Sequence, residues 1–231
     1  MCRICGGGFK SGENNIFSNW VVLMLRNTKL FFLSLALAVP GSYASGGGLP
    51  ELNEVVVNGS YRELVSKLDE RIWTQDELGK ALIASAGVNR PAEALLLLEN
   101  GAEVDFAVLL RTSLIVAAYN NSIGTAEVLL EAGADPNYVS SFDWRPLHNS
   151  MRRGVSNDDM IRLLIENGAD IDARTNLQIT PLHRAAGFCL SSAVTVLLEL
   201  GADRQLRDKY NQTAADRAEK AGCHEIAGIL R

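Results

Sequence analysis

Apolar residues recur along most of this chain at three- and four-residue intervals, in short blocks rather than one long run. Leu95 to Glu99, Val128 to Glu131, Ile161 to Glu166 and Val194 to Glu199 are aliphatic stretches that close on an acid, the pattern of a helix with one buried face. Each leads into Gly-Ala-acid, at Gly101-Ala102-Glu103, Gly133-Ala134-Asp135, Gly168-Ala169-Asp170 and Gly201-Ala202-Asp203, at intervals of 32, 35 and 33 residues. A fixed period of this length marks a chain of stacked units. Downstream stands Thr180-Pro181-Leu182-His183-Arg184-Ala185-Ala186, with degenerate copies at Thr112-Ser113-Leu114, Arg145-Pro146-Leu147-His148 and Thr213-Ala214-Ala215.

The period and the T-P-L-H-x-A signature resemble the ankyrin repeat family. With the threonine of that signature as a marker, equivalent positions fall at Pro50, Lys80, Thr112, Arg145, Thr180 and Thr213. The resemblance implies an all-α solenoid of helix-turn-helix units with hairpin-like loops, about five repeats plus an amino-terminal cap over residues 49–231. The residues support it independently. Pro146 and Pro181 suit a first helical position, where the missing N–H costs nothing. Leu52, Leu82, Leu114, Leu147 and Leu182 share one place in the register, and Leu182 and Leu197 are expected between repeats. Nine residues after the markers stand Gly59, Asn89, Asn121, Gly154, Cys189 and Gly222, all but the cysteine tolerant of a left-handed helix end. Family loops carry a glycine two residues before the marker. Asp143, Gln178 and Asn211 stand there instead, so ideal hairpin tips are not expected. A two-residue expansion falls around Val155 to Asp159, and the carboxy-terminal unit reads as a cap.

The amino terminus follows a different rule. From Met24, Arg26 and Lys29 precede ten uncharged residues, Leu30 to Val39, then Pro40-Gly41 and Ser42-Tyr43-Ala44. That order is the layout of a secretory signal peptide, and the apolar run is half the ~20 residues a membrane-crossing helix needs. Residues 1–44 are therefore expected to be a signal region with Met24 as its true start, cleaved after Ala44. Residues 45–48 would form a flexible leader, and the compact signal favours a bacterial periplasmic or secreted protein. The 22 basic and 27 acidic residues give the whole chain a net charge of −5, and removing the leader's four basic residues and one acid brings it to −8. Nucleic acid is excluded as the expected partner by that balance.

Chemistry-bearing residues are sparse. Four cysteines and three histidines suffice for neither a disulfide framework nor a zinc cage, and no cofactor, metal or catalytic site is expected. The Cys2 and Cys5 pair lacks a partner pair. His148 and His183 occupy the signature's structural position, and His224 with Glu225 reads as a solvated face. Sequons at Asn58, Asn120 and Asn211 matter only in a eukaryotic secretory route. Cys189 and Cys223 lie in almost the same register of adjacent repeats. Helices stacked about 10 Å apart exceed the reach of a disulfide, so free thiols are expected.

The resemblance implies a monomeric scaffold that binds another protein and protects, assists or inhibits it, rather than an enzyme. Loop tips and first helices would carry the partner surface, namely the aromatics Phe106, Tyr119, Tyr138, Phe142 and Trp144, extended by Arg174 and Tyr210. Phe106 and Phe142 are equally suited to filling space between loops. The alternative is a thiol redox accessory protein using Cys189 and Cys223.

Overall fold

A computed structural model describes residues 52–151, 155 and 157–231. Residues 1–51, which hold the expected signal region, its cleavage site after Ala44, the expected flexible leader and Pro50, lie outside the described residues, as do Gly154 and part of the expansion after Met151. Among the described residues there are twelve α-helices and no strand, only isolated bridge positions such as Val108 with Arg111. They form six pairs: α1 Leu52–Asn58 with α2 Tyr61–Glu70, α3 Gln75–Gly87 with α4 Pro91–Glu99, and α5 Ser113–Asn120 with α6 Ile123–Glu131. Then come α7 Pro146–Asn149 with α8 Asp158–Glu166, α9 Pro181–Gly187 with α10 Ser191–Glu199, and α11 Ala214–Lys220 with α12 His224–Leu230. First helices pack against first helices in one row, α1 through α11, and second helices α2 through α10 in another. None of the described helices is long and apolar enough to cross a membrane.

The Gly-Ala-acid motif is the stop signal of the second helices. Gly101, Gly133, Gly168 and Gly201 take φ near +90°, a conformation open to glycine at little cost. The next alanine donates its N–H back to a helix carbonyl: Ala102 to Leu97, Ala134 to Leu129, Ala169 to Leu164 and Ala202 to Leu197, at 2.9–3.0 Å. First helices start on the marker threonines. Thr112, Thr180 and Thr213 each accept the backbone N–H three residues on, which satisfies an otherwise orphaned donor. The second unit departs from the expected register. Thr74, in a capping box with Glu77, starts α3 at Gln75, so the marker position Lys80 lies inside a longer helix.

Leu82, Leu97, Leu114, Leu129, Leu147, Leu164, Leu182 and Leu197 are all buried, each contributing about 1.5–3 kcal/mol against exposure. Buried alanines, including Ala86, Ala118, Ala126, Ala186 and Ala193, keep the interfaces between helices thin.

The hairpin tips are better formed than the missing glycines suggest. Asp143, Gln178 and Asn211 themselves adopt left-handed φ of 60°, 56° and 61°. Flanking hydrogen bonds hold them there: Ser140 N to Trp144 O at 2.7 Å, Thr175 N to Ile179 O at 3.1 Å and Asp208 N to Gln212 O at 2.9 Å. Asn89 and Asn121 take the expected left-handed turn. Cys189 does so too, at φ 59°, although a Cβ disfavours it.

Neighbouring loops are lashed together by side chains that meet the next repeat's backbone. Gln75 bonds Gly101 O and Glu103 N, Asp105 accepts Asp135 N, Asn137 bonds Gly168 O and Asp170 N, and Asp172 accepts Asp203 N. The buried histidines do the same one layer inward. His148 accepts Arg145 N at Nδ1 and reaches Ile179 O through Nε2, at 3.1 Å. His183 meets Thr180 Oγ1 at 2.8 Å and Gln212 O at 3.0 Å. A carbonyl can only accept, so each Nε2 carries the proton, and each Nδ1 accepts a backbone N–H, from Arg145 and Thr180, so each ring is neutral.

The expectation of free thiols is corrected: Cys189 and Cys223 form a disulfide, with Cα atoms 5.7 Å apart. The spacing of helix axes was the wrong measure. Both cysteines stand in the turns between paired helices, Cys189 after α9 and Cys223 at the start of α12, where backbones of adjacent repeats approach within bridging range.

Two outcomes follow from this packing. Thiol labelling of the unreduced, denatured protein should find neither Cys189 nor Cys223 reactive, and Cys223→Ser should cost about 2–4 kcal/mol by releasing a closed loop. Labelling at Cys189 and Cys223 would refute the bridge. The second outcome concerns acid. Burial, aided by repulsion from Arg184 and Arg145, holds His148 down to about 4, and burial also lowers His183. Because the unfolded chain takes up protons near pH 6.5 and the folded one does not, stability is complete above that value and falls as pH drops towards 4. His148 alone accounts for about 3 kcal/mol of that loss. Denaturant unfolding of His148→Gln should show lower stability at neutral pH and a flatter pH dependence between 6.5 and 5; an unchanged slope would contradict the assignment.

Candidate partner-binding face

One position, three residues before the marker, recurs at the hairpin tips as Leu109, Phe142, Leu177 and Tyr210. Leu109 is 86% exposed, Phe142 74% and Tyr210 65%. Leu109 and Leu110 both have positive φ, as do Phe142 and Asp143, the geometry of two-residue hairpin turns that ordinarily favour asparagine and glycine. Adjacent tips are joined, Asn176 N to Phe142 O at 3.5 Å and Lys209 N to Leu177 O at 2.9 Å. Large side chains are thus held on ordered backbone in water.

Beneath the tips runs a groove. A cavity of about 140 Å³ is lined by Trp144, His148, Ile179, Arg184, Gly187 and Phe188 among others. The Arg184 guanidinium lies 4.0 Å from the Trp144 ring centre and 4.7 Å from that of Phe188, a double cation–π contact. Its Nε donates to Met151 O at 2.9 Å. Burial pushes Arg184 down to about 10, partly offset by Tyr119, which leaves it charged at neutral pH. Trp144 also stands 6.4 Å from the His148 ring, centre to centre.

The residues anticipated as a partner surface separate into groups. Trp144 stacks on Arg184, and Tyr119 is exposed on α5, close enough to influence that arginine's charge. Phe142 and Tyr210 stand on the tips, and Arg174 is exposed beside them, donating to Gln178 Oε1 at 2.9 Å. Tyr138 is half-buried in its loop. Phe106 lies with its ring on α3: a Cβ on Gly79 would come within 2.1 Å of it, so it fills space between units. Leu109, Leu177, Arg184 and Phe188 were missed. The tip leucines show only when the tips are aligned on their markers, and Arg184 sits inside the signature, where it passes for scaffold.

The bridged cysteines lie at the surface, Cys189 exposed and Cys223 half-buried, beside His224 and Glu225. Among the described residues no group of three or more His, Cys, Asp or Glu side chains comes together to hold a metal.

Comparison with known proteins agrees with the helix pairs. Residues 138–208 match the family described as "Ankyrin repeats (3 copies)" and residues 110–141 match "Ankyrin repeat". The chain is similar to cyclin-dependent kinase 4 inhibitor B of Rattus norvegicus, 33% identical over 118 residues, covering 51% of this chain and 88% of that protein. It is similar to human cyclin-dependent kinase inhibitor 2A, 31% identical over 119 residues, with 51% and 74% covered. Bos taurus mitochondrial disaggregase is 31% identical over 157 residues, 65% of this chain but 22% of its own length. The period, the helix pairs with their glycine stops and this likeness together mean that the chain belongs to the ankyrin-repeat family.

Proposed function

We propose that this chain is an exported scaffold that binds another protein across its hairpin tips and the groove beneath them, and thereby protects, assists or inhibits it. The observation that carries this is the row of large, exposed side chains on ordered tips above the Trp144–Arg184–Phe188 stack. Surface aromatics and leucines held this way cost solvation and serve no packing inside the chain, while aromatic and arginine anchors dominate protein interfaces. Inhibitors among the relatives support a role exercised by contact rather than turnover. Export is supported by the charge, apolar and small-residue order from Met24 to Ala44 and by the Cys189–Cys223 bridge, which suits an oxidising compartment. A monomer presents this face unobstructed. The alternative, redox chemistry at Cys189 and Cys223, draws on the surface position of the bridge, but a staple between the last two repeats accounts for the pair without further chemistry.

Two experiments test the proposal. Amino-terminal sequencing of protein recovered from the envelope or medium should begin at or next to Ser45; an intact leader on cytosolic protein would refute export. Tyr119→Ala combined with Trp144→Ala should abolish capture of the native partner while moving the thermal midpoint little, since Tyr119 is exposed and Trp144 half-buried. Undiminished capture would place the binding face elsewhere.

A further inference from the structure

Arg184 and Arg217 occupy the same position, four residues after the marker, in consecutive repeats, and their surroundings differ in one respect. Arg217 is neutralised within its own repeat: its Nη2 lies 2.6 Å from Asp208 Oδ2 and its Nε donates to the same oxygen at 2.7 Å. The residue equivalent to Asp208, five before the marker, is Thr175 in the repeat of Arg184. Thr175 preserves the loop function of the aspartate, since its Oγ1 accepts Ile179 N at 3.1 Å as Asp208 Oδ1 accepts Gln212 N at 3.0 Å. It supplies no negative charge. Among the described residues no carboxylate pairs with Arg184, which meets Met151 O and two aromatic faces. Its terminal nitrogens donate to no described residue, and the half-buried side chain lines the groove. A guanidinium offers a planar pair of donors, the geometry that receives a carboxylate.

The setting is cationic although the chain is acidic. Arg145 and Arg184 both bear on His148, and Arg174 and Arg217 on His183; among the described residues Arg217 is ion-paired with Asp208, Arg174 is only near Asp172, and no ion pair joins Arg145 or Arg184 to a carboxylate. We infer that the groove between Trp144, Arg184 and Phe188 receives an aspartate or glutamate side chain from an extended acidic segment of a protein partner, which takes at Arg184 the place that Asp208 takes at Arg217. Several cations spread over neighbouring repeats match a run of acids better than a single terminal carboxylate. The aromatic walls favour an apolar residue beside the acid. This rests on the scaffold reading above and names the partner class for that face.

The test is selection of short, carboxy-amidated random peptides on the disulfide-bonded mature protein, followed by affinity measurement on three variants. Arg184→Gln removes the donors. Thr175→Asp installs the missing carboxylate, keeps Arg184 charged and should leave the thermal midpoint unchanged or higher. Gly187→Leu fills the groove, where a Cβ meets nothing within 4 Å. Peptides rich in Asp and Glu should emerge, bind more weakly as salt rises, and lose about tenfold or more in affinity for each variant. Selected peptides without acid enrichment, acidic peptides indifferent to Thr175→Asp and Arg184→Gln, or displacement by single-stranded nucleic acid at equal potency would overturn this inference and leave the scaffold reading intact. Failure of the folded protein to select any peptide would overturn both.

Discussion

Each helix pair in this protein leaves an apolar face that only its neighbour can cover. Leu114, Leu147 and Leu182 on the first helices, and Leu129, Leu164 and Leu197 on the second, are buried because another repeat lies against them, and no unit of this size could do so alone. The constraint reaches into the loops. Once repeats stack, backbone groups of adjacent loops are brought side by side and must find partners, which Asp105, Asn137, Asp172 and the two buried histidines provide. At α11 and α12 the Cys189–Cys223 bridge ties this helix pair to the one before it.

This arrangement decides where function can reside. Positions facing the next repeat are committed to burial, and those facing the next loop are committed to hydrogen bonds. What remains free is the tip of each hairpin and the outward side of each first helix, which is where Phe142, Tyr210, Trp144 and Arg184 stand. Variation between repeats at these free positions costs the fold little and changes the surface a great deal. A buried loop position can alter the same surface: where Asp208 is replaced by Thr175 in the neighbouring repeat, the loop bond survives and the carboxylate beside the arginine does not.

Much of this was legible from residues alone. The Gly-Ala-acid stops, the capping threonines and the leucine register are local rules of helix ends and periodic burial, and they read directly. Other features depend on distances between segments. The disulfide was misjudged because register gives the separation of helix axes but not that of the turns. Left-handed Asp143, Gln178 and Leu110 were missed because paired backbone hydrogen bonds across each tip override intrinsic preference there. Of the candidate surface, Trp144 and Tyr119 stand out by residue type, whereas Arg184 and Phe188 become visible only when the fold stacks the guanidinium between two aromatic rings.

The central claim is that one side of the stack, tips and groove, meets another protein while the second-helix side faces solvent. Photo-cross-linking in the native cell tests it most directly, with a photoreactive phenylalanine analogue placed at position 142 on a tip or at position 127, the exposed Glu127 of α6. The account predicts a discrete adduct from position 142 and none from position 127. Adducts from position 127 with none from position 142 would contradict it.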